Sequence, residues 1–272
     1  MVYSYMSVIR AVEVPVTLLL FSAFISSPLW VEKPLVGPQS NPLPTYWLAL
    51  PSQGRAKLIR MRFVVGIYRL LIAFFCLGGT YEAWLLGIGN KWVYFTFQTN
   101  IALGLVMLWA GAATLLKGIQ PPAWLKGCLT LYIVITGLVA LLVLGLNSTD
   151  YKLVLGVRTT LMIHVISPIM ASVDFLLFDP HRRFRWHNVL TWLIYFPFYV
   201  AFVLIRAAIW PHSGPQPDGD PYPYAFLDLG HLGWTQLMIN MAEYLVVFFA
   251  LSLVIFLIDR ILPAKTPLTI DR

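Results

Sequence analysis

The side chains of this chain that are able to do chemistry lie within long apolar segments. Thr96 opens one segment, His164 lies within another, and Glu243 lies within the last. A hydroxyl, an imidazole and a carboxylate are the groups of a nucleophile, a general base and an orienting acid. A threonine hydroxyl is a weak nucleophile that gains reactivity beside a neutral imidazole. These residue types indicate ester hydrolysis, with Thr96 as nucleophile and His164 as base, if the fold brings them together.

Two amide side chains accompany these groups. Asn100 shares a helix face with Thr96 and Thr99, and Asn240 lies three residues before Glu243 in the last segment. An amide N–H can donate to the oxyanion that forms when an ester carbonyl is attacked. We therefore predict Asn100 or Asn240 as the oxyanion donor and Glu243 as a further orienting candidate. The alternative interpretation is that these groups hold neighbouring helices together.

Polar residues form one stripe along the segment that contains His164. At about 100° per residue, Thr160, Ser167 and Asp174 fall on nearly the same face as His164. Because lipid offers no hydrogen-bond partner, this stripe is expected to face the interior of a bundle. It serves there either a chemical site or the packing of helices.

Depth separates the two candidate catalytic residues. At 1.5 Å per residue, Thr96 is expected about 3 Å and His164 about 16 Å below the outer boundary of the membrane. Thr160, one turn above His164, is therefore a second candidate hydroxyl.

The composition predicts a membrane protein. Of the 272 residues, 59% are hydrophobic and only 11% are charged, whereas about a quarter are charged in soluble domains. Six apolar runs are long enough to cross a bilayer, which needs about 20 helical residues. They are predicted at Phe63–Leu86, Tyr94–Leu116, Cys128–Leu146, Leu153–Phe178, Val189–Trp210 and Gln236–Ile258. The sequence therefore predicts an all-α, polytopic transmembrane bundle with six core spans.

Basic residues predict the orientation of this bundle. Lys91 and Lys152 are the two basic residues in the flanks on one side, and the other side has twelve. Those twelve are Arg55, Lys57, Arg60, Arg62, Lys117, Lys126, Arg182, Arg183, Arg185, Arg260, Lys265 and Arg272. Since the side richer in lysine and arginine faces the cytoplasm, both termini of the core are predicted to be cytoplasmic. In this orientation Thr96 is expected toward the outside.

Three regions are predicted along the chain. Residues 1–54 form an N-terminal hydrophobic segment followed by a proline-rich linker, residues 55–262 form the six-span membrane domain, and residues 263–272 form a cytoplasmic tail. The hydrophobic segment is predicted to be either an extra tilted span or a helix at the membrane interface.

Three further residues are predicted to contact a substrate. Arg158 lies near the outer end of the fourth run, where it either snorkels to the interface or binds an acidic lipid headgroup. Tyr222 and Tyr224 belong to an aromatic element near the mouth of the site, or to the aromatic belt of the outer interface.

The sequence predicts no cofactor and no metal. Cys76 and Cys128 both lie inside apolar runs, and His164 is the one histidine within a run, so neither a cysteine cluster nor a bis-histidine haem is expected. The formal charge of +7 is explained by the basic flanks, so nucleic acid is not an expected partner. The expected partners are membrane lipids and a small lipid-like substrate, and the sequence leaves the oligomeric state open.

Ordered motifs extend through most of the core. They read YFTFQTN at 94–100, YIVITGLV at 132–139, HVISP at 164–168, DFLLF at 174–178 and YPYAFLD at 222–228. From about Met61 to Arg260 the chain thus resembles the bacterial six-span family abbreviated Pr-six-Pr. That family is similar to the vertebrate androgen-induced proteins, which are threonine hydrolases of fatty acid esters of hydroxy fatty acids.

The resemblance implies a location, the bacterial plasma membrane, and a function for two residues. By position, the nucleophilic threonine falls on Thr96 and the histidine on His164. We therefore expect a metal-independent lipid ester hydrolase whose Thr/His pair lies in the outer half of the bundle. The alternative is a non-catalytic carrier or scaffold that binds a small amphiphile.

Overall fold

The computed structural model describes residues 52–145, 153–216, 218–265 and 268, with side chains from Ile59 onward. The predicted N-terminal hydrophobic segment and almost all of its linker lie outside the described residues, as does most of the predicted tail. The predicted Cys128–Leu146 and Leu153–Phe178 runs are separated by a second undescribed stretch, 146–152.

The described residues form helices almost throughout. The α-helices are Ser52–Gly79, Tyr81–Trp84, Phe95–Leu116, Ala123–Val139, Thr159–Leu161, Ser167–Leu177, Asn188–Thr191, Tyr195–Ile209 and Leu229–Ile261. Short 3₁₀ helices span Gly89–Val93 and Ala225–Leu227, and π-helical turns span Ala140–Leu144 and Met162–Ile166. Strands β1 (Leu153–Val154) and β2 (Val157–Arg158) complete the elements.

Six helical stretches of the described chain are long and apolar enough to cross a membrane. Spans 1 to 6 are Ile59–Gly79, Phe95–Leu116, Ala123–Leu144, Thr159–Leu177, Asn188–Ile209 and Leu229–Ile261. The predicted all-α transmembrane bundle is thereby confirmed, and the protein is an integral, multi-pass membrane protein. The predicted boundaries differ from these mainly at the two ends of span 1 and at the starts of spans 3, 4 and 6.

The start of span 4 differs from its predicted position because the chain forms a hairpin there. Strands β1 and β2 pair antiparallel, and the two turn residues Leu155 and Gly156 both have positive φ angles, 49° and 80°. Such angles suit a tight two-residue hairpin turn. Span 4 consequently begins at Thr159, and His164 lies five residues, or about 8 Å, from its start. The hairpin therefore removes most of the depth difference between His164 and Thr96.

Close contacts between backbones fix the position of the turn that carries His164. A Cβ atom added to Gly137 of span 3 would lie 3.0 Å from the carbonyl oxygen of His164. At Gly79 of span 1, an added Cβ atom would lie 2.4 Å from the Ile163 side chain. Glycines at these two positions let spans 1 and 3 approach the π-helical turn of span 4 more closely than any larger residue would.

The spans alternate in direction, so the bundle has two ends. The Thr96 end holds the connections 80–94, 153–158 and 210–228, and the Asp174 end holds the connections 117–122 and 178–187. The distribution of basic residues predicts that the Asp174 end is cytoplasmic.

Candidate functional site

An aromatic cavity opens between the helices at the Thr96 end. It encloses about 410 Å³ of empty space, including its mouth. Seven of its twelve lining residues are aromatic, three are aliphatic and two are threonines. They are Phe95, Thr96, Ile135, Thr136, Val139, Leu144, Phe196, Tyr199, Tyr224, Phe226, Tyr244 and Phe248. An apolar wall with a few hydroxyl groups is suited to an amphiphile with a hydrocarbon chain.

Thr96 places its hydroxyl in this wall beside a tyrosine. Its Oγ1 lies 3.5 Å from the phenolic oxygen of Tyr224, and both residues are buried. Tyr224 is held by rings on both sides, because it stacks on Phe226 and meets Tyr94 edge-on. Burial raises the pKa of Tyr224 to about 12, so the phenol keeps its proton at neutral pH. Tyr224 is therefore a hydrogen-bond donor at this position and not a base.

Two other hydroxyls of the wall are committed to the protein backbone. The Thr136 hydroxyl donates to the carbonyl of Tyr132 at 2.9 Å. The Tyr199 phenol donates to the carbonyl of Val93 at 2.9 Å and accepts the amide of Phe95 at 3.2 Å. In contrast, the hydroxyl of Thr96 makes no hydrogen bond to the described backbone. Of these three hydroxyls, that of Thr96 is the one without a backbone partner among the described residues.

His164, when its ring is neutral, is held in the tautomer that a base requires. Its Nδ1 lies 3.0 Å from the carbonyl oxygen of Thr160. Because a carbonyl only accepts hydrogen bonds, Nδ1 carries the proton of the neutral ring, and Nε2 has a free lone pair. The His164 side chain is half-buried, it is not among the residues that line the cavity, and no hydrogen bond joins it to Thr96 in the described structure.

Asn100 links the turn of Thr96 to the turn of His164. Its Nδ2 donates to the carbonyl of Thr96 at 2.9 Å and to that of Ile163 at 3.3 Å. Both donors of the amide are therefore used by the backbone, so Asn100 has none left for an oxyanion. Its Oδ1 is buried without a partner. Asn100 holds the starts of spans 2 and 4 at one level of the bundle.

The remaining predicted site residues lie outside the cavity wall. Asn240 donates to the carbonyl of Phe226 at 3.2 Å, which attaches span 6 to the loop that carries Tyr224. Glu243 is exposed in the described structure, so the fold does not bring it to Thr96. Tyr222 is half-buried and does not line the cavity.

The predicted substrate contact Arg158 lies away from the cavity as well. It is exposed on strand β2, in the hairpin that precedes span 4. Arg158 is not among the residues that line the cavity. Its predicted contact with an acidic headgroup stays a prediction.

A buried cluster of four charges lies at the opposite end of the bundle. Arg69 contacts Asp174 at 2.9 Å and Asp179 at 2.8 Å, and Lys126 contacts the same two carboxylates at 2.7 and 2.5 Å. Thr114 accepts a further hydrogen bond from Arg69 at 2.8 Å. We call Arg69, Lys126, Asp174 and Asp179 the charge quartet. The Arg69 side chain is fully buried between its ion partners, so it does not snorkel to the membrane interface although it lies near a span end.

One group of described residues has the composition of metal ligands. Asp220, Asp228 and His231 each place a ligand atom within 4.8 Å of the others at the Thr96 end. Their oxygens already serve the chain, since Asp228 caps the helix of span 6 by accepting the amide of His231, and Asp220 accepts the amide of Tyr222. Asp228 also contacts the His231 ring. Hydrogen bonds within the chain thus account for this group.

Fold and cavity together define a class: an integral membrane bundle whose described residues form six spans, with an aromatic cavity at one end. No protein-family model, characterised protein or solved structure matches this chain. The proposed function therefore depends on the geometry of the cavity and on the motifs in the sequence.

Proposed function

We propose that the protein is an intramembrane hydrolase of lipid esters and that it binds its substrate in the aromatic cavity. The acyl chain lies among the aromatic rings, and the ester group lies beside Thr96. The single observation that carries the proposal is the hydroxyl of Thr96, a residue of this mostly apolar wall, which lies 3.5 Å from the Tyr224 phenol and has no partner in the described backbone.

The reaction assigns one role to each of three side chains. Thr96 Oγ1 attacks the ester carbonyl carbon while Nε2 of His164 takes the hydroxyl proton. The oxyanion that forms accepts a hydrogen bond from the Tyr224 phenol, in place of the predicted Asn100. The C–O bond to the alcohol then breaks, and His164 returns the proton to the departing oxygen. Water hydrolyses the acyl-threonine and releases the fatty acid.

This route requires His164 and Thr96 to meet in the complex with substrate. The tautomer of His164 is the one a base needs, and Asn100 holds both turns at one level. Hydrogen bonds between catalytic groups often shorten only when substrate binds, so the absence of a direct contact in the free protein is compatible with the proposal.

A non-catalytic carrier or scaffold for a small amphiphile is the second candidate function. It is favoured by one observation, that His164 is not part of the cavity wall and makes no hydrogen bond to Thr96 in the described residues. A carrier uses the same cavity, with the Thr96 and Tyr224 hydroxyls as partners for the polar end of its ligand.

Filling the cavity tests both candidates at once. Val139 lines the cavity, whereas Val143, one helical turn further on, is exposed. We expect Val139→Phe to weaken binding of octyl decyl ether, an ester analogue that cannot be hydrolysed, by about tenfold or more, because the added ring occupies the space of the acyl chain. Val143→Phe is the matched control and should bind the ether as the unaltered protein does.

The same variants separate a hydrolase from a carrier. The measurements are binding of the ether by purified protein in detergent and release of nitrophenolate from p-nitrophenyl octanoate. A hydrolase loses ether binding and nitrophenolate release with Val139→Phe. A carrier also loses ether binding with this substitution, but it releases no nitrophenolate even as the unaltered protein. If both phenylalanine variants bind the ether normally, the cavity is not the binding site and neither candidate holds.

A further inference from the structure

A second cavity lies at the Asp174 end, beside the charge quartet. It is a shallow cavity with about 320 Å³ of unfilled space when the solvent at its open mouth is included, and its charged lining residues are Lys126, Asp179 and Arg183. Phe175 and Phe184 supply apolar wall on the bundle side. This cavity is thus both polar and apolar, unlike the aromatic cavity at the other end.

The charges around the second cavity do not cancel. Within the charge quartet, the two cations and two carboxylates balance. Arg183 adds a positive charge at the edge of the cavity, where it is exposed and forms no ion pair or hydrogen bond with the described residues. Lys126 gives two of its three N–H groups to the carboxylates and keeps the third. The cavity wall therefore carries two cations, Arg183 and Lys126, and one carboxylate, Asp179, so positive charge is in excess there.

The loop that carries Arg183 has the composition of a membrane interface. Arg182 and Arg185 are also exposed, and the Trp186 side chain is 70% exposed. Exposed tryptophan beside arginines is typical of chain that lies at the level of lipid headgroups. Next to Gln120 of the cavity wall, Ile119 is 86% exposed and offers an apolar surface to a hydrocarbon chain.

We propose that the second cavity binds the phosphodiester headgroup of an anionic phospholipid. A guanidinium forms two parallel hydrogen bonds with a phosphate, and such charge-assisted pairs are about twice as strong as neutral ones. Arg183 donates hydrogen bonds to two phosphate oxygens, and the third N–H of Lys126 donates one more. The acyl chains lie along the surface at Ile119. A basic pocket between spans is a known type of lipid site.

The site is independent of the proposed hydrolase, because it lies at the opposite end of span 2. Removing a lipid from it leaves the cavity of Thr96 in place. Lipid binding at Arg183 and hydrolysis at Thr96 can therefore be tested separately, and failure of one does not imply failure of the other.

Lipid titration of two arginine variants tests the proposal. The whole protein, purified in neutral detergent, is titrated with phosphatidylglycerol, with phosphatidylcholine as the neutral lipid, and the bound lipid is counted by native mass spectrometry. We expect Arg183→Gln to weaken binding of phosphatidylglycerol about tenfold, which corresponds to loss of one charge-assisted contact. Arg185→Gln removes the same charge from the same loop but lies outside the cavity, so it should change the affinity less than twofold.

Three outcomes would overturn the proposal. Equal loss in both variants would mean that the arginines attract anionic lipid only through the general surface charge. Unchanged affinity in Arg183→Gln would mean that the cavity does not hold the headgroup. Displacement of phosphatidylglycerol by millimolar inorganic phosphate would mean that the site takes a free ion and not a lipid.

Discussion

Replacing either Thr96 or His164 by alanine is expected to reduce lipid ester hydrolysis about a thousandfold or more. Each substitution removes one member of a nucleophile–base pair, and neither member acts without the other. The double variant should be no worse than either single variant, because losses within one catalytic unit are not additive. The measurement is kcat for p-nitrophenyl octanoate with the three variants purified side by side.

Neighbouring hydroxyls provide the controls for this prediction. Thr136→Val removes a hydroxyl from the same cavity wall, but one that serves the Tyr132 carbonyl, so activity should fall less than tenfold. Thr99→Ala should be similarly mild. If Thr160→Ala abolishes hydrolysis while Thr96→Ala does not, Thr160 is the nucleophile and the residue assigned by resemblance is wrong.

Removing one carboxylate of the charge quartet is expected to destabilise the protein strongly. Asp174→Asn leaves Arg69 and Lys126 to share Asp179, so one buried cation loses its counter-charge. Breaking a buried pair in this way costs about 3–5 kcal/mol in unfolding free energy. The measurement is unfolding of the purified protein by titration with a denaturing detergent.

Two further variants show whether charge is the cause. Asp218→Asn makes the same chemical change at an exposed position and should have little effect. Arg69→Met combined with Asp174→Leu leaves the balanced Lys126–Asp179 pair, so the double variant should be more stable than Asp174→Asn. If Asp174→Asn lowers the unfolding free energy by less than about 1 kcal/mol, the charge quartet is solvated and does not stabilise the packing of the spans.

Span positions were predictable from sequence because crossing a membrane needs a long apolar run, and such runs are visible in the sequence. The hairpin at Leu153–Arg158 was not predictable in this way, because its residues are also mostly apolar and extend the fourth run without a break. Gly156 was the one local signal of a turn. This short element matters, because it sets the level of His164 relative to Thr96.

The charge quartet could not be found from local patterns. Arg69 and Asp174 are 105 residues apart, and no spacing rule joins them. The available signal was depth, since both lie within two turns of the same predicted side of the membrane, and unpaired charges there are costly. Opposite charges at matching depth on different spans are candidates for a buried pair.

Some of the predicted site residues lie in the cavity wall and others do not. Thr96 and Tyr224 were selected by residue type and resemblance, and they lie together in the cavity wall. Glu243 was selected by its spacing from Asn240, but three residues rotate a helix by 60°, which is enough to leave Glu243 exposed while Asn240 is half-buried. The spacing of residues along one helix shows which of them share a face. Which part of that face lines a cavity depends on how several helices pack together.

The most direct test of the account is to locate the residue that a fluorophosphonate probe modifies. Such probes form a covalent bond with a hydroxyl nucleophile that a base activates. Purified protein is incubated with the probe, digested and mapped by tandem mass spectrometry. An adduct is expected on Thr96 that disappears in Thr96→Ala and falls sharply in His164→Ala. An adduct on another hydroxyl, or no adduct on a protein that binds the ether analogue in its aromatic cavity, would contradict it and favour the carrier.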